Sequence, residues 1–400
     1  MDLSYLLDWA NLLLRWAHVI TAIAWIGSSF YFVFLDSSLT PPLDPELKAK
    51  GVDGELWAVH GGGFYHPQKY LVAPKTLPEH LHWFFWESYS TWLTGMGLFT
   101  VLYLFNARSF LVDPNVHAWS AGAAVAAALG FLVLFWVIYD TICRAFGRRR
   151  HGDLIVGVLV FVYVVVAAYV SCRLFAGRAA FLMTGAMMAT AMSANVFVWI
   201  IPGQRTVIQQ MKAGVAVDPV HGRRAKQRSV HNTYFTLPVL IAMLSNHYGW
   251  LYEGRDNWLV LVLLMLAGAL IRHFFVARHK ARLKGVAPPW AHAIAGTLII
   301  GGLVFWLAPP PAPPRAALPA AVTMAEVNAI VQRRCVLCHN TQVQNKNVAL
   351  NSTALIEQHA QQIYQQAVVL KLMPFNNATR ITDDERALLK RWYEEGAPAR

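Results

Sequence analysis

The chain has 400 residues, 56% hydrophobic and 14% charged, a composition that excludes an ordinary soluble globular protein. The net charge of +12 does not mark a nucleic-acid binder, because the Lys and Arg residues sit in short connections between apolar runs, where membrane topology accounts for them. Fifteen Trp and fourteen Tyr suit the aromatic belts at the two faces of a bilayer.

The N-terminus, Met1-Asp2-Leu3-Ser4, lacks a basic stretch, so the first apolar run is expected to stay in the membrane and not to be removed as a signal peptide. Eight runs are long enough to cross a bilayer, at roughly 18–25 residues each. They lie near 9–34, 83–105, 118–142, 153–175, 179–201, 233–250, 257–277 and 290–308. The connections 37–82 and 202–232 are the two long ones. Residues 309–321 form a Pro/Ala-rich linker of semi-rigid polyproline character. Residues 322–400 lose the apolar runs and carry soluble helical patterning. The expected fold is therefore all-α: a polytopic membrane bundle over 1–308, the linker, and a small C-terminal domain.

Lys and Arg are distributed unequally between the two sets of connections. Those after spans 1, 3, 5 and 7 carry 18, and those after spans 2, 4 and 6 carry 4, counting Arg173 at the end of span 4. The richer set faces the cytoplasm. Both termini and the C-terminal domain then face the periplasm of a bacterial inner membrane. Cys143 and Cys172 fall at opposite ends of spans 3 and 4, too far apart for a disulfide, which needs Cα atoms within about 7 Å.

The C-terminal domain carries Cys335-Val336-Leu337-Cys338-His339. This is the C-x-x-C-H signature of covalent haem c attachment: two thiols bond the haem and His339 ligates its iron. No further cysteine follows, so a zinc site lacks its second ligand pair. Met373, in Leu372-Met373-Pro374-Phe375, is the expected sixth ligand; Met324 and His359 are the alternatives. Thr382-Asp383-Asp384-Glu385 opens a last helix, which Gly396 and Pro398 end. The pattern resembles class I cytochrome c.

Polar side chains inside spans are costly and usually functional. Arg15, His18, His117 and His247 fall toward the outside. His82, Glu87, Asp140, Asn195, His231, Asn232, Arg272, His273 and His292 fall toward the cytoplasm, a set able to line a substrate pocket. An electron leaving that side must cross about 30 Å of hydrocarbon to reach an outer haem, so an intramembrane relay is expected. His18 lies roughly 13 Å from the outer face at about 1.5 Å per residue. His247 lies at a similar depth, so His18 and His247 are candidate ligands of a haem b. His273 and His292 also match in depth.

The first span, with Trp16-Ala17-His18 and Trp25-Ile26-Gly27 before Phe30-Tyr31, resembles the opening helix of HemJ-type protoporphyrinogen oxidases, whose matching histidine binds haem b. The whole layout is similar to the membrane-bound urate hydroxylase family, the PuuD-type cytochrome c urate oxidases. It comprises eight spans, His231-Asn232-Thr233-Tyr234-Phe235-Thr236-Leu237-Pro238-Val239-Leu240, Ser245-Asn246-His247-Tyr248, the Pro-rich linker and the C-terminal cytochrome. That resemblance implies oxidation of urate to 5-hydroxyisourate. Electrons would pass through haem c to a terminal oxidase or a soluble cytochrome c, and no hydrogen peroxide would form. Urate is a planar anion, so Arg272 or Arg205, with Asn195, Gln204 or Asn232, would bind it. Glu87 is the first candidate base and His231 the second. A quinol or other small-molecule dehydrogenase, and a non-catalytic membrane electron shuttle, remain as alternatives.

Overall fold

The computed structural model describes residues 3–252, 254–308, 322–341, 348–374, 377 and 379–398. The expected linker, 309–321, lies outside the described residues.

The chain opens with α1 (Leu3–Ser38), an uninterrupted helix through the first expected span. The connection that follows is folded. A short α2 (Pro45–Ala49), capped by Asp44, leads into β1 (Val52–Glu55), β2 (Ala58–His60), β3 (Gly63–Tyr65) and β4 (Gln68–Tyr70). β1 pairs with β4 and β2 with β3, both antiparallel, as a nested hairpin closed at Gly61-Gly62. These strands depart from the all-α expectation. Each is only 3 or 4 residues long, too short for alternation to register against the surrounding apolar signal.

Then come α3 (Trp86–Phe99), continued as a π-helical turn over Thr100–Leu104, and the short α4 (Ala107–Phe110). α5 (Ala121–Phe146) is capped by the Ser120 hydroxyl, which accepts from Ala123 N. α6 (Gly152–Leu174) follows. α7 (Gly177–Ala194) passes through a π-helical segment, Asn195–Ile200, into α8 (Ile201–Lys212). α9 (Pro219–Leu244), α10 (Asn257–Leu283) and α11 (Trp290–Trp306) complete this part.

The sixth expected span, 233–250, needs correction at both ends. α9 begins at Pro219, where Asp218 caps it and proline occupies the first turn, and it ends at Leu244. Residues 245–251 are two short 3₁₀ turns. Hydropathy marks only the apolar half of this helix; the basic half, with Arg223, Arg224, Lys226 and Arg228, is equally helical. Among the described residues, five helices are long and apolar enough to cross a membrane, α11 being a shorter apolar helix. Their outward faces leave Leu154, Val158, Val162 and Leu298 exposed, which suits lipid.

The core of this bundle lies where α5, α6, α7, α9 and α10 meet, around Phe135, Tyr139, Phe181, Met187 and Leu261. Small residues set the crossings: a Cβ on Gly185 of α7 would stand 2.7 Å from Ala242 Cβ of α9. α1 packs on α3 and α10, and little of its surface is buried. Cys143 and Cys172 are buried free thiols.

The C-terminal unit has its own core. α12 (Met324–Arg334) and α15 (Asp383–Glu394) both start with complete capping boxes, Thr323/Glu326 and Thr382/Glu385. α13 (Thr353–Gln358) and α14 (Ala360–Ile363) lie between them. Val327, Val331, Ile356, Leu389 and Trp392 form the centre.

Candidate functional site

Three helices converge on one buried polar cluster. α5 supplies Tyr139, Asp140 and Cys143. The π-helical segment supplies Asn195 and Trp199, and α9 supplies Arg228, His231 and Asn232. Positions 228, 231 and 232 share one face of α9 by helical spacing. Pro202 lacks the N–H that would continue a regular α-helical bond to residue 198. The wider turn at Asn195–Ile200 places Asn195 against Tyr139 and Trp199 against Asp140.

The hydrogen bonds run in two branches. In the first, Asn195 Nδ2 donates to Tyr139 Oη at 2.9 Å and to Asn232 Oδ1 at 3.0 Å. Asn232 Nδ2 donates to the Met192 carbonyl at 3.0 Å, and Tyr139 Oη lies 2.8 Å from His231 Nδ1. Cys143 Sγ is 3.8 Å from the same ring nitrogen. In the second branch, Asp140 Oδ1 accepts from Arg228 Nη2 at 2.6 Å and from Trp199 Nε1 at 2.7 Å. Arg228, 3% exposed, lies over the rings of Tyr139 and Trp199. Its Nη1 and the Asn195 Oδ1 are buried without partners. In a buried network such spare groups are completed by water, an ion or a ligand.

Arg228 and His231 line a cavity of about 1270 Å³, with Trp199, Tyr234, Cys143 and Asp153. Arg144, Arg148, Arg223, Arg224 and Lys226 also line it, so its potential is strongly positive. The β-hairpin connection lies close by. Burial, then the charges of Lys226 and Lys280, hold the Lys69 ammonium below its ordinary value, and Lys69 pairs with Asp36 at the end of α1. A cationic basin with a histidine, an indole and a spare guanidinium N–H suits a planar anion and the removal of a proton from it.

The family model described as urate oxidase N-terminal matches residues 4–308. The chain belongs to the urate oxidase N-terminal family. No curated protein and no solved structure matches it. The match covers the whole helical bundle described above, cavity included, and makes the protein urate-oxidase-related.

Of the residues named from the sequence of this family member, His231, Asn195 and Asn232 come together in the polar cluster, and of these His231 lines the cavity. Glu87 and Arg272 do not line it. Glu87 is half-buried in the first turn of α3, with Oε2 lacking a partner. Arg272 is buried on α10, its guanidinium 3.8 Å above the Phe30 ring, with Nε and Nη2 unpartnered. The buried guanidinium at the cavity is that of Arg228. Sequence reasoning passed over Arg228, Tyr139 and Trp199. The available signals were the Asp218-Pro219 cap, which makes 228 helical, and the spacing of 228 from His231.

His18 Nδ1 lies 3.1 Å from the Thr91 carbonyl and 3.2 Å from Thr94 Oγ1. A Cβ on Gly95 would come within 2.9 Å of the His18 ring, so glycine lets α3 approach it. With Nδ1–H donated to Thr91 O, Nε2 is the open nitrogen, the orientation that suits an iron ligand. His247 sits exposed in the 3₁₀ turn Ser245–His247 beyond α9, whereas the hydrogen-bond partners of His18 are on α3. The His273 and His292 rings are 4.3 Å apart between centroids. That leaves no room for an iron between them as paired axial ligands, since each metal–nitrogen bond takes about 2 Å.

In the C-terminal unit, Cys335 caps α12 and Cys338 follows one turn later. His339 N donates to the Cys335 carbonyl at 3.0 Å, and His339 Nδ1 lies 3.2 Å from Val348 O, again leaving Nε2 open. Met373 packs partly against the same core as Cys335, and Arg386 Nη1 donates to its carbonyl at 3.0 Å. Met324 is buried at the far end of α12, and His359 Nδ1 is engaged with Gln362 Oε1 at 2.6 Å. Leu337, between Cys335 and Cys338, and Val369, Leu370 and Leu372, just before Met373, are each more than half exposed, apolar surface of the kind a haem would cover. Burial, then Cys338, push the Cys335 thiol up to about 12. Among the described residues no three His, Cys, Asp or Glu side chains converge as a metal site.

Proposed function

We propose that the protein is a membrane-bound urate oxidase that converts urate to 5-hydroxyisourate and passes the electrons to a haem c on its own C-terminal domain, not to oxygen. The family match over residues 4–308 carries the substrate assignment. The cavity supports it chemically. Arg228, which lines the cavity, holds the purine anion through its spare Nη1. Trp199 offers a stacking face. His231 is the base: the tautomer with its proton on Nδ1 donates to Tyr139 Oη and leaves the Nε2 lone pair for urate. Asp140 positions Arg228 from below.

Cys335, Cys338, His339 and Met373 would hold haem c, which supplies one-electron acceptance at the raised potential of Met/His ligation. His18, with His247 as the second candidate, would hold a haem b as an intramembrane relay. The domain would lie in the periplasm and the cavity at the cytoplasmic face, with a soluble cytochrome c or a terminal oxidase downstream.

The test supplies purified full-length protein with urate and a soluble cytochrome c. The expected result is two cytochromes reduced per urate consumed, without peroxide. Peroxide formed in step with urate loss, or no urate loss, contradicts the reading.

A further inference from the structure

Oxidation of the urate monoanion with water gives 5-hydroxyisourate, one proton and two electrons, the electrons going to one-electron acceptors. His231 takes the proton in a cavity lined by Arg144, Arg148, Arg223, Arg224, Lys226 and Arg228. The potential that draws the anion in opposes a hydronium crossing the same mouth, and it surrounds a protonated His231 with like charge. The ring has to be discharged against that field before the next turnover.

One lining residue has the sign to do this. Among the described residues that line the cavity, Asp153, in the first turn of α6, is the one carboxylate. It is exposed, so it meets water at the rim. Asp140 is engaged by Arg228 and Trp199, whereas Asp153 is bonded to a neutral amide: Gln227 Nε2 donates to its Oδ1 at 2.7 Å. Gln227 Nε2 also lies 3.5 Å from the Gly147 carbonyl at the end of α5. A Cβ on Gly147 would stand 2.6 Å from Gln227 Oε1, so glycine there lets the amide lie against both helix ends. Gln227 comes four residues before His231 on α9, which makes the two side chains neighbours on one face. Asp153 is thereby fixed about one helical turn from the base, near enough for its charge to act on the ring. In a basin that collects an anion, such a carboxylate weakens binding by repulsion; its use lies in turnover.

We propose that Asp153 is the proton acceptor that discharges His231 and hands the proton to water at the cavity rim. The idea rests on urate being oxidised at this cavity. Through cavity water, the N–H bond formed on His231 Nε2 breaks and an O–H bond forms on the Asp153 carboxylate. The acid then ionises to bulk water, and both residues end in their starting protonation states.

Turnover of the full-length protein with urate and soluble cytochrome c tests this, in H2O and D2O. Wild-type turnover checks the urate assignment first and separately: a wild type that leaves urate intact refutes that reading before any variant is compared. Asp153→Asn keeps an oxygen for Gln227 and removes only the charge and the proton site. It is expected to lower kcat about tenfold while lowering KM for urate about two- to fivefold, because a repelling charge has gone. Its solvent isotope effect should rise, and its rate should climb with the concentration of a neutral-base buffer such as Tris. Asp153→Glu, which restores the carboxylate, should recover most of the rate. An unchanged kcat in Asp153→Asn overturns the proposal, with or without a fall in KM. So does a loss of kcat with a wild-type isotope effect and no response to buffer, which would mark a packing role through Gln227.

Discussion

Arg228→Gln separates what Arg228 does for the fold from what it does for the substrate. The side chains of Arg228 and Asp140 are 4% and 10% exposed and bonded at 2.6 Å. Removing one partner of such a pair leaves a buried charge and costs about 3–5 kcal/mol. The cost to Asp140 should fall toward the lower end, because Trp199 Nε1 still donates to it at 2.7 Å and Arg144 lies 4.0 Å away. The substrate loses a charge-assisted hydrogen bond from Nη1, worth about 1.5–3 kcal/mol, so urate should bind roughly 10- to 150-fold more weakly. The double variant Asp140→Asn/Arg228→Gln removes both charges. It should recover most of the stability and none of the affinity, a non-additive result that isolates the pair. Thermal unfolding in detergent and equilibrium dialysis with urate measure the two effects. If Arg228→Gln unfolds earlier but binds urate as the wild type does, Arg228 is structural and the substrate lies elsewhere.

His231→Gln should lower kcat by about 10²- to 10⁴-fold, the range for losing a general base, with KM changed far less; an equal loss in both would make His231 a binding group. Raising the ionic strength should raise KM for urate while leaving kcat steady, because exposed cations at the cavity mouth are screened within about 10 Å at 0.1 M salt; a salt-independent KM argues against electrostatic capture. Cys335→Ser or Cys338→Ser should leave a single thioether and a visibly shifted haem spectrum, and the double variant should lose covalent haem while the bundle still folds. In the C-terminal unit, burial alone would raise the Glu385 carboxyl. The hydrogen bonds from Arg334 and Thr382 outweigh it and hold it below its ordinary value. The stabilisation is therefore present above the unfolded carboxyl pKa, and is lost as pH falls through the lower folded one. Glu385→Gln should unfold earlier than the wild type at neutral pH, and the gap should close in acid.

The helices with uniform apolar faces were legible in the sequence. α5, α6 and α10 begin within a few residues of the expected spans, because a 20-residue apolar run admits few other structures. The C-x-x-C-H turn was legible as well, since three residues at fixed spacing fall at the end of α12. The cavity was not. Arg228 reads as one more cation in a basic connection until Asp218 and Pro219 are recognised as the start of α9. Tyr139 and Trp199 read as belt aromatics until the π-helical segment turns Trp199 onto Asp140. Glu87 and Arg272 were singled out by expected depth, and depth does not fix which side of a helix a residue occupies. The connection 37–82 was read as a loop because its strands pair only with each other.

The most direct test of the central claim is an optical spectrum of anaerobic membranes carrying the full-length protein, taken before and after urate is added. The account predicts a reduced c-type α-band that appears with urate and is absent from membranes carrying the Cys335→Ser/Cys338→Ser variant. A haem that stays oxidised with urate yet reduces fully with dithionite would contradict it.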